Sequence, residues 1–198
     1  MTALQCATTL ILARHGEAEY EVDEWADEGG SLTPRGRQQA AALGDSLAGR
    51  RVAHVWTSTY ARAVQTGEIA AARLAVGVTT RIALCEFRLG HLVGEPKDLD
   101  ALQSSYFAWL DGDLDPRIAG SESGHELVAR VRGVLQEIAD AHPGETVLVV
   151  THGGVIRVAV PALCRMDGVT PAELDNAGHV ELLVDADSWA CTRWGISD

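Results

Sequence analysis

The stretch Leu10-Ile11-Leu12-Ala13-Arg14-His15-Gly16-Glu17 carries an uncharged, β-prone run straight into a cation, an imidazole and a glycine. Far downstream, Val147-Leu148-Val149-Val150-Thr151-His152-Gly153-Gly154 repeats the arrangement. A glycine after each histidine lets the backbone turn sharply and come close to a ligand. In an open α/β sheet, ligands bind outside the carboxyl ends of the strands. Two strands ending in His-Gly are therefore expected to deliver two imidazoles to one crevice.

Strand one is expected over roughly Thr8 to Ala13, apolar as a central strand covered on both faces must be. The acidic segment Glu17 to Glu28 has poor periodicity and reads as a loop beside the mouth of that strand, either a solvated surface or a substrate-shaping element. Thr33-Pro34 opens a helix with Thr as N-cap; Ala40, Leu43 and Leu47 give it an apolar face, and Gly49 suits its C-terminal end. Val52 to Trp56 reads as a second strand, in which His54 is expected to be a packed core or edge histidine. Thr57-Ser58-Thr59 leads into a helix from Tyr60 to Leu74, placing Arg62 in a first turn whose free N–H groups favour an anion.

A short strand is expected near Val78 to Ile82, then the irregular Leu84 to Gly90. Asp98 to Leu110 reads as a modest helix placed as a lid. The clearest helix runs from Ser123 to Ala141, with Ser123 and Glu126 as a capping box and His142-Pro143-Gly144 as its stop. Thr146 to Val150 is a strand, followed by a helix from Gly154 toward Leu163 that Pro161 should kink or end. Gly178 to Trp194 reads as two edge strands around Asp185-Ala186-Asp187, which leaves homodimerisation open. Strands alternating with helices give an α/β class, a mostly parallel sheet with helices on both faces.

The chain has 198 residues, 46% hydrophobic and 22% charged, which reads as one globular domain over 1–198 with ample core. A net charge of −12 argues against a nucleic-acid or anionic-membrane binder, while leaving room for a locally positive cleft that takes a small anion. Cys6, Cys85, Cys164 and Cys191 are scattered without a CxxC pair, as expected of free thiols in a reducing, cytoplasmic setting. No apolar stretch approaches the roughly 20 residues of a membrane span.

Arg14, His15, Arg62, Glu86 and His152 form the candidate catalytic set. Two fixed cations and two imidazoles suit a phosphoryl group whose charge is spread over three oxygens in the transition state. A histidine flanked by arginines has a lowered pKa, and a neutral imidazole is what in-line attack on phosphorus requires. A nearby carboxylic acid can protonate the leaving oxygen and later activate water. A metal site built on His15 and His152 is disfavoured, because flanking arginines repel a dication.

These residues resemble the histidine phosphatase superfamily in its phosphoglycerate mutase-like branch (branch 1). Arg14-His15-Gly16-Glu17 resembles its N-terminal signature, and Leu32-Thr33-Pro34-Arg35-Gly36 the start of its first helix. Ser58 through Thr66 is similar to its Ser-x-x-x-Arg-Ala-x-x-Thr segment, and Leu84-x-Glu86 with Gly90 and Gly94 to the segment carrying the acid. Gly120-Ser121-Glu122-Ser123 with Arg130-Val131, and Thr151-His152-Gly153-Gly154 with Ile156-Arg157, complete an ordered set that spans most of the chain. The resemblance implies a phosphoglycerate mutase-like three-layer sandwich. It implies His15 as the phosphorylated nucleophile, Arg14, Arg62 and His152 as the rest of the phosphate pocket, Glu86 as proton donor, Gly153 beside the substrate, and neither cofactor nor metal. The expected partners are a small phosphomonoester, such as a sugar phosphate, and inorganic phosphate as product.

Departures bear on substrate rather than on phosphoryl transfer. Glu21 stands where many members carry an asparagine that helps hold the phosphate, Gly29 where an aspartate is usual, and Leu92-Val93 where an aromatic-acidic pair is common. An acidic loop with Glu21 as a substrate contact would repel a second anionic group on that side, so hydrolysis is expected rather than bisphosphate-primed mutase chemistry. A mutase-type phosphotransferase and a non-catalytic phospho-ligand binding module remain the alternatives.

Overall fold

In the computed structural model of the chain, which describes residues 6–19, 24–98, 102–185 and 188–196, the apolar run ending in Arg14 is β1 (Thr8–Arg14). Successive side chains of a strand leave opposite faces, and both faces of β1 are covered: Leu10 and Leu12 enter one core, Ile11 and Ala13 the other. The chain continues through α1 (Pro34–Ser46), β2 (Val52–Thr57), α2 (Ala61–Leu74), β3 (Val78–Thr80) and the single-turn α3 (Ala108–Leu110). It ends with α4 (Gly124–Ala141), β4 (Thr146–Thr151), α5 (Gly153–Leu163), β5 (His179–Val184) and β6 (Trp189–Ile196).

Among the described residues six strands form one sheet in the order β3-β2-β4-β1-β5-β6. The first four in that order run parallel; β5 is antiparallel to β1, and β6 to β5. Leu43 and Leu47 at α1, with Ala63, Ala70 and Ala71 of α2, close one face. Leu127, Val131, Leu135 and Ile138 of α4, with Val155 and Ile156 of α5, close the other. The three-layer arrangement is the one that alternating strands and helices lead one to expect.

Local chemistry sets the helix starts. Thr33 Oγ1 accepts the Gly36 N–H at 2.9 Å with Pro34 in the first turn of α1. In α4, Ser123 Oγ accepts the Glu126 N–H at 3.3 Å while the Glu126 carboxylate accepts the Ser123 N–H at 3.0 Å, which closes the capping box. His54 donates to or accepts from Thr79 Oγ1 at 2.9 Å and stacks on His142, a packed histidine as expected.

Several boundaries differ from the sequence reading. α1 stops at Ser46; Gly49 lies inside a short 3-10 turn (Ala48–Arg50), and the left-handed residue that ends it is Arg51. The third strand ends at Thr80 because Ile82 turns outward in a 3-10 turn (Ile82–Leu84). The helix expected over 98–110 is a π-helical turn (Gln103–Phe107) running into α3, with 99–101 outside the described residues. Of the two tail strands only β6 is an edge; β5 lies between β1 and β6. Residues 186 and 187 of the turn between them lie outside the described residues. Pro161 falls two residues before the end of α5, where a missing N–H costs least continuation.

One tertiary contact leaves no room for side chains. A Cβ built at Gly36 would lie 2.0 Å from the carbonyl oxygen of Glu17, and one at Gly16 would lie 2.5 Å from the carbonyl oxygen of Gly36. The start of α1 therefore packs backbone against backbone on the turn that follows β1. Replacing Gly36 by alanine must push the two apart, and overpacking of this kind costs about 1–3 kcal/mol. The urea midpoint of Gly36→Ala should fall accordingly, whereas Gly49→Ala, where a Cβ meets nothing within 4 Å, should leave it near wild type.

Candidate active site

The pairing of β1 with β4 sets Arg14 opposite Thr151, so the next residues, His15 and His152, leave the sheet side by side with ring centroids 5.2 Å apart. β2 pairs Thr57 with Val150, which brings Ser58 to the same edge. Arg62 lies in the first turn of α2, and Glu86 on the irregular segment that crosses toward α5. All five expected catalytic residues are thus gathered at the carboxyl ends of β1, β4 and β2.

The tautomer of His15 follows from its two partners. Nδ1 lies 2.7 Å from the carbonyl oxygen of Gly16, an acceptor, so Nδ1 carries the proton. Nε2 then bears the lone pair, and the Nε–H of Arg62 donates to it at 3.1 Å. Burial, followed by the charge of Arg62, lowers the pKa of His15 to about 3. Arg62 also donates to the carbonyl of Glu28, and its guanidinium lies over the Tyr60 ring. Arg14 is held by the carbonyl of Leu174 at 2.5 Å.

His152 is fully buried, and burial, then His15 and Arg62, lower its pKa well below the usual histidine value. Its Nε2 lies 2.8 Å from Ser58 Oγ, which also accepts the Tyr60 N–H; a serine hydroxyl that donates to Nε2 leaves the imidazole proton on Nδ1. Nδ1 of His152 has no hydrogen-bond partner among the described residues. Ser58 was visible in the sequence only as part of a motif; its hold on His152 is a tertiary fact.

The Glu86 carboxylate accepts the N–H of Phe87 at 3.1 Å and of Gly154 at 3.0 Å. Burial outweighs these bonds and raises its pKa above the ordinary carboxylate range. A Cβ at Gly154 would lie 2.8 and 2.9 Å from the two carboxylate oxygens, so only glycine admits the acid there. Gly153 borders Arg14 in the same way, a Cβ meeting its Cδ at 3.3 Å. Asn176 and Ala177 reach back to the carbonyl of His15, a support with no signal in the sequence.

Arg14, His15, Arg62, Glu86, Gly153 and Gly154 line a chamber of about 380 Å³. Its other walls are mostly apolar: Trp25, Phe87, Leu89, Leu102, Tyr106 and Leu174. A second, wider cleft of about 1180 Å³ shares Glu86 and Asp27 with it. Glu21 lies outside the described residues. Its neighbour Glu17 is no loose surface charge: its carboxylate accepts the Thr33 hydroxyl at 2.8 Å. Among the described residues no group of three or more His, Cys, Asp or Glu is arranged to hold a metal ion, and no helix is long and apolar enough to cross a membrane.

Beside this geometry stand a family match and likenesses to three known proteins. The description of the histidine phosphatase superfamily (branch 1) matches residues 10–197. Phosphoglycerate mutase-like protein 4 of Arabidopsis thaliana is 33% identical over 94% of this chain and 84% of its own length. A mycobacterial glucosyl-3-phosphoglycerate phosphatase, solved in complex with VO3, is 25% identical with a TM-score of 0.78, covering 96% of this chain and 99% of its own. YhfR of Bacillus stearothermophilus is 28% identical with a TM-score of 0.77, covering 96% and 98%.

The depressed pKa of His15 has a consequence for stability. Between the folded value of about 3 and the ordinary 6.5, the unfolded chain binds the proton that the folded chain refuses. The neutral imidazole therefore stabilises the fold fully above 6.5, and that contribution is lost as pH falls toward 3. Denaturant midpoints measured from about pH 7 to about pH 4 should decline more steeply for the wild type than for His15→Asn, which has no such proton to refuse. Parallel slopes would contradict the assignment.

Proposed function

The chain belongs to the histidine phosphatase superfamily, branch 1, and from that premise we propose that it hydrolyses a small phosphomonoester through a phospho-histidine at His15. The observation that carries the reading is the fixed tautomer of His15, with the proton on Nδ1 tied to Gly16 and the Nε2 lone pair facing Arg62. Nε2 attacks phosphorus in line, the bond to the leaving oxygen breaks, and Glu86 gives that oxygen its proton. Arg14 and Arg62 offset the charge on the three equatorial oxygens, and the Nδ1–H of His152 donates to one of them. In the second half, the Glu86 carboxylate takes a proton from water as the water oxygen attacks phosphorus, the N–P bond breaks, and phosphate leaves with His15 and protonated Glu86 restored.

No step calls on a metal, since the guanidinium groups carry the compensating charge. Hydrolysis is favoured over phosphotransfer because Glu86 also borders the wide cleft, which gives water a route to the phospho-enzyme. A chamber of about 380 Å³ suits the leaving group of a small metabolite, sugar phosphates included. The vanadate complex of the mycobacterial relative fits the same view, vanadate being a mimic of phosphate.

The test is phosphate release from a panel of aryl, sugar, nucleotide and glycerate phosphates in excess EDTA. Wild type should remain active, and His15→Ala should lose at least about 10³-fold. Loss caused by EDTA alone, or 3-phosphoglycerate to 2-phosphoglycerate interconversion as fast as hydrolysis, would refute it. Glu86→Gln should lower turnover of alkyl phosphates about 10²–10⁴-fold and of 4-nitrophenyl phosphate less, because nitrophenolate leaves without a proton. The alkaline limb of the wild-type profile should lie above the ordinary carboxylate range, since Glu86 must hold its proton and burial raises its pKa.

A further inference from the structure

Glu86 stands on irregular backbone, in the segment between the 3-10 turn Ile82–Leu84 and Gly90. No strand ladder fixes it, so the backbone groups here need other partners. Three successive carbonyls find them in side chains. Nη1 of Arg130 donates to the carbonyl of Ala83 at 2.8 Å and to that of Cys85 at 2.9 Å. Between them, Thr151 Oγ1 donates to the carbonyl of Leu84 at 2.6 Å. Arg130 rises from the second turn of α4, and Thr151 ends β4 one residue before His152.

The guanidinium is itself held. Its Nε and Nη2 each donate to one oxygen of the Glu122 carboxylate at 2.7 Å. The two side chains are 24% and 16% exposed, so solvent and salt screen this pair less than a surface one. Arginine suits the place because one planar fork can hold a carboxylate on one edge and two carbonyls on another, which a point-charge ammonium cannot. Arg130 has no place in the reaction above, and its guanidinium is spent on the main chain that carries the acid.

We infer that Arg130, oriented by Glu122, is the positioning residue for the proton donor. It fixes the backbone on the N-terminal side of Glu86, and the N–H of Gly154 receives the carboxylate at the far end. Its effect passes through Glu86, and the inference rests on the reading above only in taking Glu86 as the acid.

The test is a double-mutant cycle of Arg130→Met with Glu86→Gln, read on an alkyl phosphate and on 4-nitrophenyl phosphate. A misplacement of about 1 Å can cost about 10²-fold, so Arg130→Met should lower kcat on the alkyl phosphate by about that factor. Turnover of 4-nitrophenyl phosphate should fall much less, and KM and inhibition by inorganic phosphate should stay within about twofold of wild type. In the Glu86→Gln background the same substitution should cost little more, because the acid it positions is gone. Equal losses on the two substrates, or losses that multiply in the cycle, would overturn the inference and leave the hydrolase reading standing. Amide exchange at Gly154 reads the same contact without turnover: its protection should fall in Arg130→Met while that of Val149 in β4 holds. That result in a chain that hydrolyses nothing would remove the hydrolase reading and keep the positioning one, whereas unchanged protection would overturn the positioning one. Should Arg130→Met fail to fold, Arg130→Lys leaves Glu122 a charge partner but cannot span the carboxylate and both carbonyls, and the same outcomes decide.

Discussion

The register of β1 against β4 is the constraint on which the site depends. With Arg14 opposite Thr151, two strands that are far apart in sequence release His15 and His152 at the same height. The register is strongly held because both faces of the sheet are buried. A slip of one residue would send Leu10 and Leu12 to the face that now takes Ile11 and Ala13, and it would turn His15 away from His152. β2 adds the third member by the same means, its Thr57 pairing with Val150 so that Ser58 falls beside His152. The positions of the chemistry are thus by-products of core packing, with no separate loop needed to aim the histidines. The glycine contact between Gly16 and Gly36 then fixes where the chain turns after His15.

What the packing gathers is electrostatically one-sided. Two guanidinium groups beside two buried imidazoles make protonation of either imidazole unfavourable, first by desolvation and then by like charge. The same surroundings favour a phosphoryl dianion, which satisfies the cations and gives the Nδ1–H of His152 an acceptor. Glu86 is displaced in the opposite sense, its pKa raised because burial prevails over two backbone N–H bonds. An imidazole whose pKa is lowered and a carboxyl whose pKa is raised therefore line one chamber, which is the pairing of opposed shifts that acid–base chemistry on one substrate needs.

Much of this was legible in the sequence because it rests on short-range rules. Apolar runs ending in His-Gly marked β1 and β4, the Thr-Pro and Ser-x-x-Glu patterns marked the starts of α1 and α4, and alternation of strands and helices marked the layers. Where long-range packing decides, the reading failed. β5 looked like an edge strand because nothing in Gly178 to Trp194 says that β6 will cover it. The segment before Trp109 looked like an ordinary helix, but its residues serve the chamber: Leu102 and Tyr106 face it, and Tyr106 stacks on Phe87 through a π-helical turn. Gly49 looked like a helix terminator, yet Arg51 took the left-handed position. In the site, Arg14, His15, Arg62, Glu86 and His152 were legible as a set, whereas the hold of Ser58 on His152 and of Leu174 on Arg14 joins positions too distant for any local pattern.

The chamber walls are built on a different principle from the phosphate end. Trp25 donates to the carbonyl of Glu95 and accepts from the N–H of Gly94, both at 2.9 Å, and Asp27 holds the N–H of Leu89. These irregular segments are tied chiefly to one another rather than to the sheet. Their side chains can therefore change without disturbing the register that aligns His15 with His152, in keeping with the general placing of specificity on loops carried by a rigid scaffold.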